Sequence, residues 1–181
     1  MYCFRMAGPA TLNPTAASLL GFLHAGPMTG WDIGQTVEQS IGGVWNVTRS
    51  QVYRELRSLE AQGLIEPGET GPRDRRPFRL TEEGRRAFAA WIDRPPLDEI
   101  IRFPLLLTVF FREHVDQGRL DRALHEHELR HLRRLEAYEE QAELLEGEDG
   151  GPAQVLRFGI EYERAVLRWF ASLPGYRSVR D

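Results

Sequence analysis

The chain has 181 residues, 41% of them hydrophobic and 28% charged, with a formal net charge of −4. That composition can fill one or two small cores and is too polar for a membrane protein. The longest mostly apolar run, Phe103 to Phe111, falls short of the roughly 20 residues that cross a bilayer, and the basic-then-apolar pattern of a secretory signal is missing, so a cytoplasmic location is expected. The single cysteine, Cys3, leaves no disulfide framework and no cysteine metal site.

Charge is unevenly placed. Residues 1–95 hold 11 arginines against 10 acidic residues, whereas residues 96–181 hold 12 against 17, and every one of the 23 basic residues is arginine. The acidity therefore belongs to the second half, and the first keeps a side chain suited to phosphate and guanine contacts.

In chain order, residues 1–12 show no periodicity and are expected to form a flexible tail. Asn13-Pro14 is an N-cap and first-turn proline pair that opens a helix carrying Leu19, Leu20 and Leu23, ended by Gly26-Pro27. Thr29 with Asp32 resembles a capping box, and Ile33, Val37 and Ile41 follow at helical spacing until Gly42-Gly43. Thr48 with Gln51 forms a second box, after which Val52, Leu56 and Leu59 repeat on one face and Gly63 stands where a C′ glycine belongs. Two short strands, Leu64-Ile65 and Phe78-Arg79-Leu80, flank a turn-rich tip, and Thr81 with Glu82 and Glu83 opens a fourth helix through Trp91. The expected order is helix, helix, helix, strand, wing, strand, helix.

Pro95-Pro96 marks a boundary, beyond which no strand pattern appears. A helix from about Leu120 to Leu145 places Leu124, His127, His131, Leu135 and Tyr138 in one stripe, and a last helix from about Ala153 to Leu173 aligns Phe158, Tyr162, Val166, Trp169 and Phe170. Two such stripes need covering. The expectation is a homodimer interface that includes Leu124, Leu135, Tyr138, Phe158, Tyr162, Val166, Trp169 and Phe170. The fold class is thus mostly α with a small β-hairpin: a winged helix-turn-helix over residues 13–95 and an all-α dimerisation domain over 96–181.

The third helix carries the functional signal. With Val52, Leu56 and Leu59 inward, Ser50, Tyr53, Arg54 and Arg57 lie on the outer face, with Thr48 and Arg49 at its N-terminal edge. Arginine can read guanine or hold phosphate, hydroxyls suit phosphate oxygens, and a helix N-terminus favours anions. An ordinary solvated face would look similar, because Glu55 and Glu60 stand close enough to pair with these arginines. The wing weighs against that alternative: Arg73, Arg75, Arg76 and Arg79 cluster with only Asp74 interrupting.

The run Val44-Trp45-Asn46-Val47-Thr48-Arg49-Ser50-Gln51-Val52-Tyr53-Arg54-Glu55-Leu56, then Leu59-Glu60-Ala61-Gln62-Gly63-Leu64-Ile65 and Arg79-Leu80-Thr81-Glu82-Glu83-Gly84-Arg85, resembles the PadR family of bacterial regulators. The helical second half resembles that of the family's long form. The resemblance implies a homodimeric repressor that binds an inverted-repeat operator in double-stranded DNA and responds to a small hydrophobic or aromatic molecule. It assigns DNA contacts to Thr48, Arg49, Ser50, Tyr53 and Arg54, and to Arg73, Arg75 and Arg76 on the wing. Many short-form members carry Gly-Thr-Leu-Tyr-Pro around the tyrosine. This chain has Ser50-Gln51-Val52-Tyr53-Arg54, so their base preference does not transfer.

The rival is enzymatic. His127-Glu128-Leu129-Arg130-His131 is a literal HExxH, the spacing that sets two imidazoles on one helix face for zinc with glutamate as general base. Against a zinc metallopeptidase, Arg130 puts a cation beside the would-be metal and no spacing selects a third ligand, so the histidines are read as interfacial. No catalytic residue, metal or cofactor is expected. A non-catalytic protein-interaction module, using the wing arginines on acidic partners, is the other alternative. For an effector, Trp45, Trp91, Phe110 and Trp169 supply aromatic surface, although most such residues serve a core.

Overall fold

The computed structural model describes residues 12–40, 45, 47–69, 76–96, 98, 102–145 and 147–179. The chain forms two compact units, Met1–Leu97 and Asp98–Asp181.

In the first unit, α1 (Pro14–Phe22) begins where the Asn13 Oδ1 accepts from Ala16 N at 2.8 Å. One 3-10 turn, Leu23–Ala25, follows, and Gly26, at φ 140°, breaks the helical path. Strand β1 is Met28–Thr29 and leads directly into α2 (Gly30–Ser40). The first predicted capping box is real: Thr29 N donates to Asp32 Oδ2 at 3.0 Å and Asp32 N to Thr29 Oγ1 at 3.2 Å. Helix α3 spans Arg49–Ala61, β2 Ile65–Pro67, β3 Pro77–Leu80 and α4 Glu82–Ile92. Leu19, Leu20, Ile33, Val52, Leu56 and Leu59 are buried in one core, on the faces that the periodicity predicts.

The sheet corrects the two-strand expectation. Its order is β1-β3-β2, antiparallel throughout, with Met28 opposite Phe78 and Thr29 opposite Pro77. A two-residue strand has no alternation to display, so its existence depends on a partner some fifty positions away.

The signature residues around Gly63 and Gly84 clasp one another. Gly63 adopts φ 70° as the helix leaves α3, where a side chain would be strained. Thr81 Oγ1 donates to Gly63 O at 2.8 Å and accepts from Gly84 N at 3.0 Å, while Thr81 N reaches Leu64 O at 3.2 Å. A Cβ on Gly84 would stand 2.0 Å from Leu64 O. The Leu-Thr-Glu-Glu-Gly run therefore places a cap and a bare backbone against the start of β2, which fixes the root of the wing.

The second unit contains α5 (Pro104–Phe110), a 3-10 turn Arg112–His114, α6 (Gln117–Leu144) and α7 (Gly151–Ala171). Helices α6 and α7 pack as an antiparallel pair, and Gly159 lets the Tyr138 ring approach to within 3.0 Å of where a Cβ would lie. Leu105, Leu120, Leu124, Val166 and Phe170 form the core, with Phe103, Tyr162 and Trp169 packed against it.

This changes the expected interface. Leu124, Val166 and Phe170 are 3%, 9% and 0% exposed within one chain, because α5, α6 and α7 cover one another's stripes. Leu135, Tyr138, Tyr162 and Trp169 are half-buried, and only Phe158 of that set is open, at 61%. No helix among the described residues is long and apolar enough to cross a membrane.

Candidate nucleic-acid interface

The N-terminus of α3 is held by the predicted reciprocal box. Thr48 N donates to Gln51 Oε1 at 2.8 Å and Gln51 N to Thr48 Oγ1 at 3.3 Å. Thr48, Arg49 and Ser50 are exposed around it, with the two hydroxyls 3.1 Å apart. Amide groups and hydroxyls at a helix N-terminus suit an anion such as a phosphate.

One turn on, Tyr53 is 45% exposed and rests against α2, where a Cβ on Gly30 would meet its Cε1 at 2.6 Å. Glycine there permits the ring to lie across the start of α2. The side chain of Arg54 is 65% exposed, and that of Arg57 is exposed with its Nε donating to Tyr53 O at 3.1 Å. Sequence periodicity alone thus locates the outer face, and the structure gathers Thr48, Arg49, Ser50, Tyr53, Arg54 and Arg57 on it.

The arginines do carry acidic neighbours. Arg54 Nη2 lies 3.0 Å from Glu55 Oε1, Arg76 Nη1 3.7 Å from Glu60 Oε1, and Arg79 Nη2 3.4 Å from Glu66 Oε1. The last two pairs are open to solvent and contribute about 0–1 kcal/mol, which leaves Arg76 and Arg79 free to exchange partners. Arg73 and Arg75 lie outside the described residues.

The HExxH has a different explanation. Glu128 is fully buried, and its carboxylate accepts from Tyr176 OH at 2.8 Å, from Ser178 Oγ, and from Val179 N at 3.0 Å. His131 is 4% exposed and its Nδ1 is bonded to buried Glu163, whose other oxygen is 3.2 Å from Arg134 Nε. His131 is therefore internal to one chain rather than interfacial. His127 is half-buried, and burial together with Arg130 pushes its pKa below the ordinary value. Glutamate and histidine face different partners, and among the described residues no three metal-binding side chains gather.

The aromatic effector candidates are dispersed. Trp45 and Trp91 pack against the first unit's core, Trp169 joins Phe103 and Phe170 in the second, and Phe110 is 77% exposed. An open cavity of about 450 Å3 on the second unit is lined by residues that include Asp121, His125, Glu126, Tyr176 and Arg177, and by none of those four. Sequence reasoning missed this cavity and the buried Glu128, because both depend on the C-terminal segment after α7 folding back on α6, and that segment has no periodic pattern; it missed buried Glu163 because its partners His131 and Arg134 come from another helix.

Comparisons agree with the geometry. The model of the transcriptional regulator PadR-like family matches residues 19–90, and that described as virulence activator alpha C-term matches residues 101–173. The negative transcriptional regulator PadR of Bacillus subtilis is 29% identical over 98 residues, 52% of this chain and 54% of that protein, so the chain spans about half the length of this relative. The crystal structure of B. subtilis PadR in complex with operator DNA superposes with a TM-score of 0.72 at 22% identity, covering 88% of this chain and 96% of that one. The same protein in complex with p-coumaric acid gives 0.64 at 22% identity, over 90% and 96%. At these identities the solved structures show a shared fold. Residues 19–90, the winged helix whose signature residues clasp as described, thus match the PadR-like family of transcriptional regulators, and the helical second half matches the virulence activator alpha C-term model.

Proposed function

We propose that the protein is a cytoplasmic, non-enzymatic, homodimeric repressor that binds an inverted-repeat operator through α3. The observation that carries this reading is the two-sided character of α3: Val52, Leu56 and Leu59 are 0–1% exposed, while the opposite face offers Ser50, Tyr53, Arg54 and Arg57 behind a capped, open N-terminus. Such a helix is anchored on one side and presents donors on the other, which a major groove requires. Two copies would set their α3 elements in successive major grooves, ~34 Å apart. Arg76, with Arg73 and Arg75, would hold the backbone. The dimer surface is assigned to the residues that one chain leaves open, Phe158 foremost, together with half-buried Leu135, Tyr138 and Tyr162.

The B. subtilis relative has been captured with p-coumaric acid. By analogy a small aromatic or hydrophobic molecule is the proposed effector here. It would act by favouring the spacing of the two α3 elements that cannot bind DNA. Selection of duplexes from a random pool, at two salt concentrations and with a chelator present, tests the reading. An enriched inverted repeat whose binding weakens as salt rises is the expected result. Failure to enrich any site, with or without candidate aromatic acids, would remove it.

A further inference from the structure

Beside the exposed face of α3 stands a buried acid that the DNA reading does not use. Glu55 is 7% exposed, although the side chain of the neighbouring Arg54 is 65% exposed. Its Oε2 accepts from Asn13 Nδ2 at 3.0 Å, and its Oε1 accepts from Arg54 Nε at 3.2 Å and Nη2 at 3.0 Å. Asn13 is itself fixed, because its Oδ1 caps α1 by accepting from Ala16 N at 2.8 Å. A rigid line of contacts thus runs from the N-terminus of α1 through Asn13 and Glu55 to the guanidinium of Arg54.

The donors of Arg54 are divided by this arrangement. A guanidinium has five N–H groups in a fixed plane. Glu55 takes Nε and one side of Nη2, and among the described residues nothing is bonded to Nη1. The edge made by Nη1 and the second Nη2 hydrogen is left free. A carboxylate behind the guanidinium also cancels most of its charge, so the long-range attraction to phosphate is weak. What remains is direction: two parallel donors held in one orientation before binding, with part of the ordering cost already met. Guanine O6 and N7 accept that pattern.

We infer that Glu55, seated by Asn13, is a positioning residue that fixes Arg54 to read one guanine, and is therefore a determinant of operator specificity. The inference rests on the proposed DNA-binding function. Its test uses the duplex selected by the wild-type chain, a panel of its single-base-pair variants and an unrelated duplex of the same length. Arg54→Ala identifies the base pair at issue. Glu55→Met keeps the volume and removes the acceptor; Asn13→Ser keeps a cap for α1 and removes the Nδ2 donor. At that base pair, discrimination is expected to fall roughly tenfold in Glu55→Met and by a smaller factor in Asn13→Ser. Binding of the unrelated duplex should stay equal or tighten, because a negative charge has been removed. In the Arg54→Ala background, Glu55→Met should add no further loss. Wild-type discrimination in Glu55→Met, or an equal loss on every duplex, overturns the inference. If the wild-type chain binds no duplex, the DNA reading itself has failed, and that is seen before any variant is compared.

Discussion

The two units solve the problem of a small core differently. The first buries apolar side chains, with Glu55 its one buried acid among the described residues, and sets its boundaries with local devices: Asn13, Thr29, Thr48 and Thr81 as caps, and Gly63 as an αL stop. The second buries Glu128, His131, Glu163 and Ser178, and satisfies them chiefly with partners 29 to 51 positions apart in the chain. Local devices hold a recognition helix in register from nearby sequence. A buried ionic network makes the second unit depend on every member being present, since removing one leaves another charge without compensation.

The largest effect should follow from breaking that network. Glu163→Ala strands His131 and Arg134 and is expected to cost about 3–5 kcal/mol, measured by denaturant unfolding followed through Trp169. If the loss were under 1 kcal/mol, the contrast between the units would disappear. In the first unit the corresponding weak point is steric: Gly84→Ala drives a Cβ into Leu64 O, where backbone must move, and an expected loss of about 1–3 kcal/mol would appear in the unfolding of residues 13–95. A wild-type midpoint would show that the clasp relaxes freely.

Protonation sharpens the same comparison. Burial, reinforced by the hydrogen bond to Glu128, raises the Tyr176 pKa above its ordinary 10.0. The folded state thus holds the phenol proton more tightly, so its contribution is complete below pH 10 and is lost as pH rises beyond it. Tyr176→Phe should cost about 1.5 kcal/mol at neutral pH and flatten the alkaline decline, as read from unfolding at pH 8 and pH 11. The smallest effect concerns His127, whose pKa is lowered by burial and then by Arg130. The folded state resists its protonation, so stability should fall as pH drops below 6.5, and His127→Gln should shallow that slope between pH 7.5 and pH 5.

Legibility in the sequence follows the range of the interactions. Thr48 with Gln51, Gly63 and Thr81 act within three or four residues, so the helix limits and the outward face of α3 could be read directly. β1 escaped because two residues show no pattern. Leu124, Val166 and Phe170 are apolar on a stripe whether a second chain or α5, α6 and α7 of the same chain cover them, and only the three-dimensional packing decides. The pairing of Glu55 with an arginine could be anticipated from their closeness in sequence, but its burial could not, because the acid is held inward by Asn13, 42 positions earlier.

Comparing the affinity of wild-type protein and a Tyr53→Ala, Arg54→Ala double variant for the selected duplex addresses the role of α3 most directly. Both side chains lie on the open face, but Arg54→Ala leaves buried Glu55 without its guanidinium partner, so the thermal midpoint of the variant is measured alongside and the affinities are compared at a temperature where both proteins are folded. A loss of roughly 100-fold is expected for two lost contacts. Unchanged affinity would mean that another surface binds the duplex and would contradict the assignment of α3.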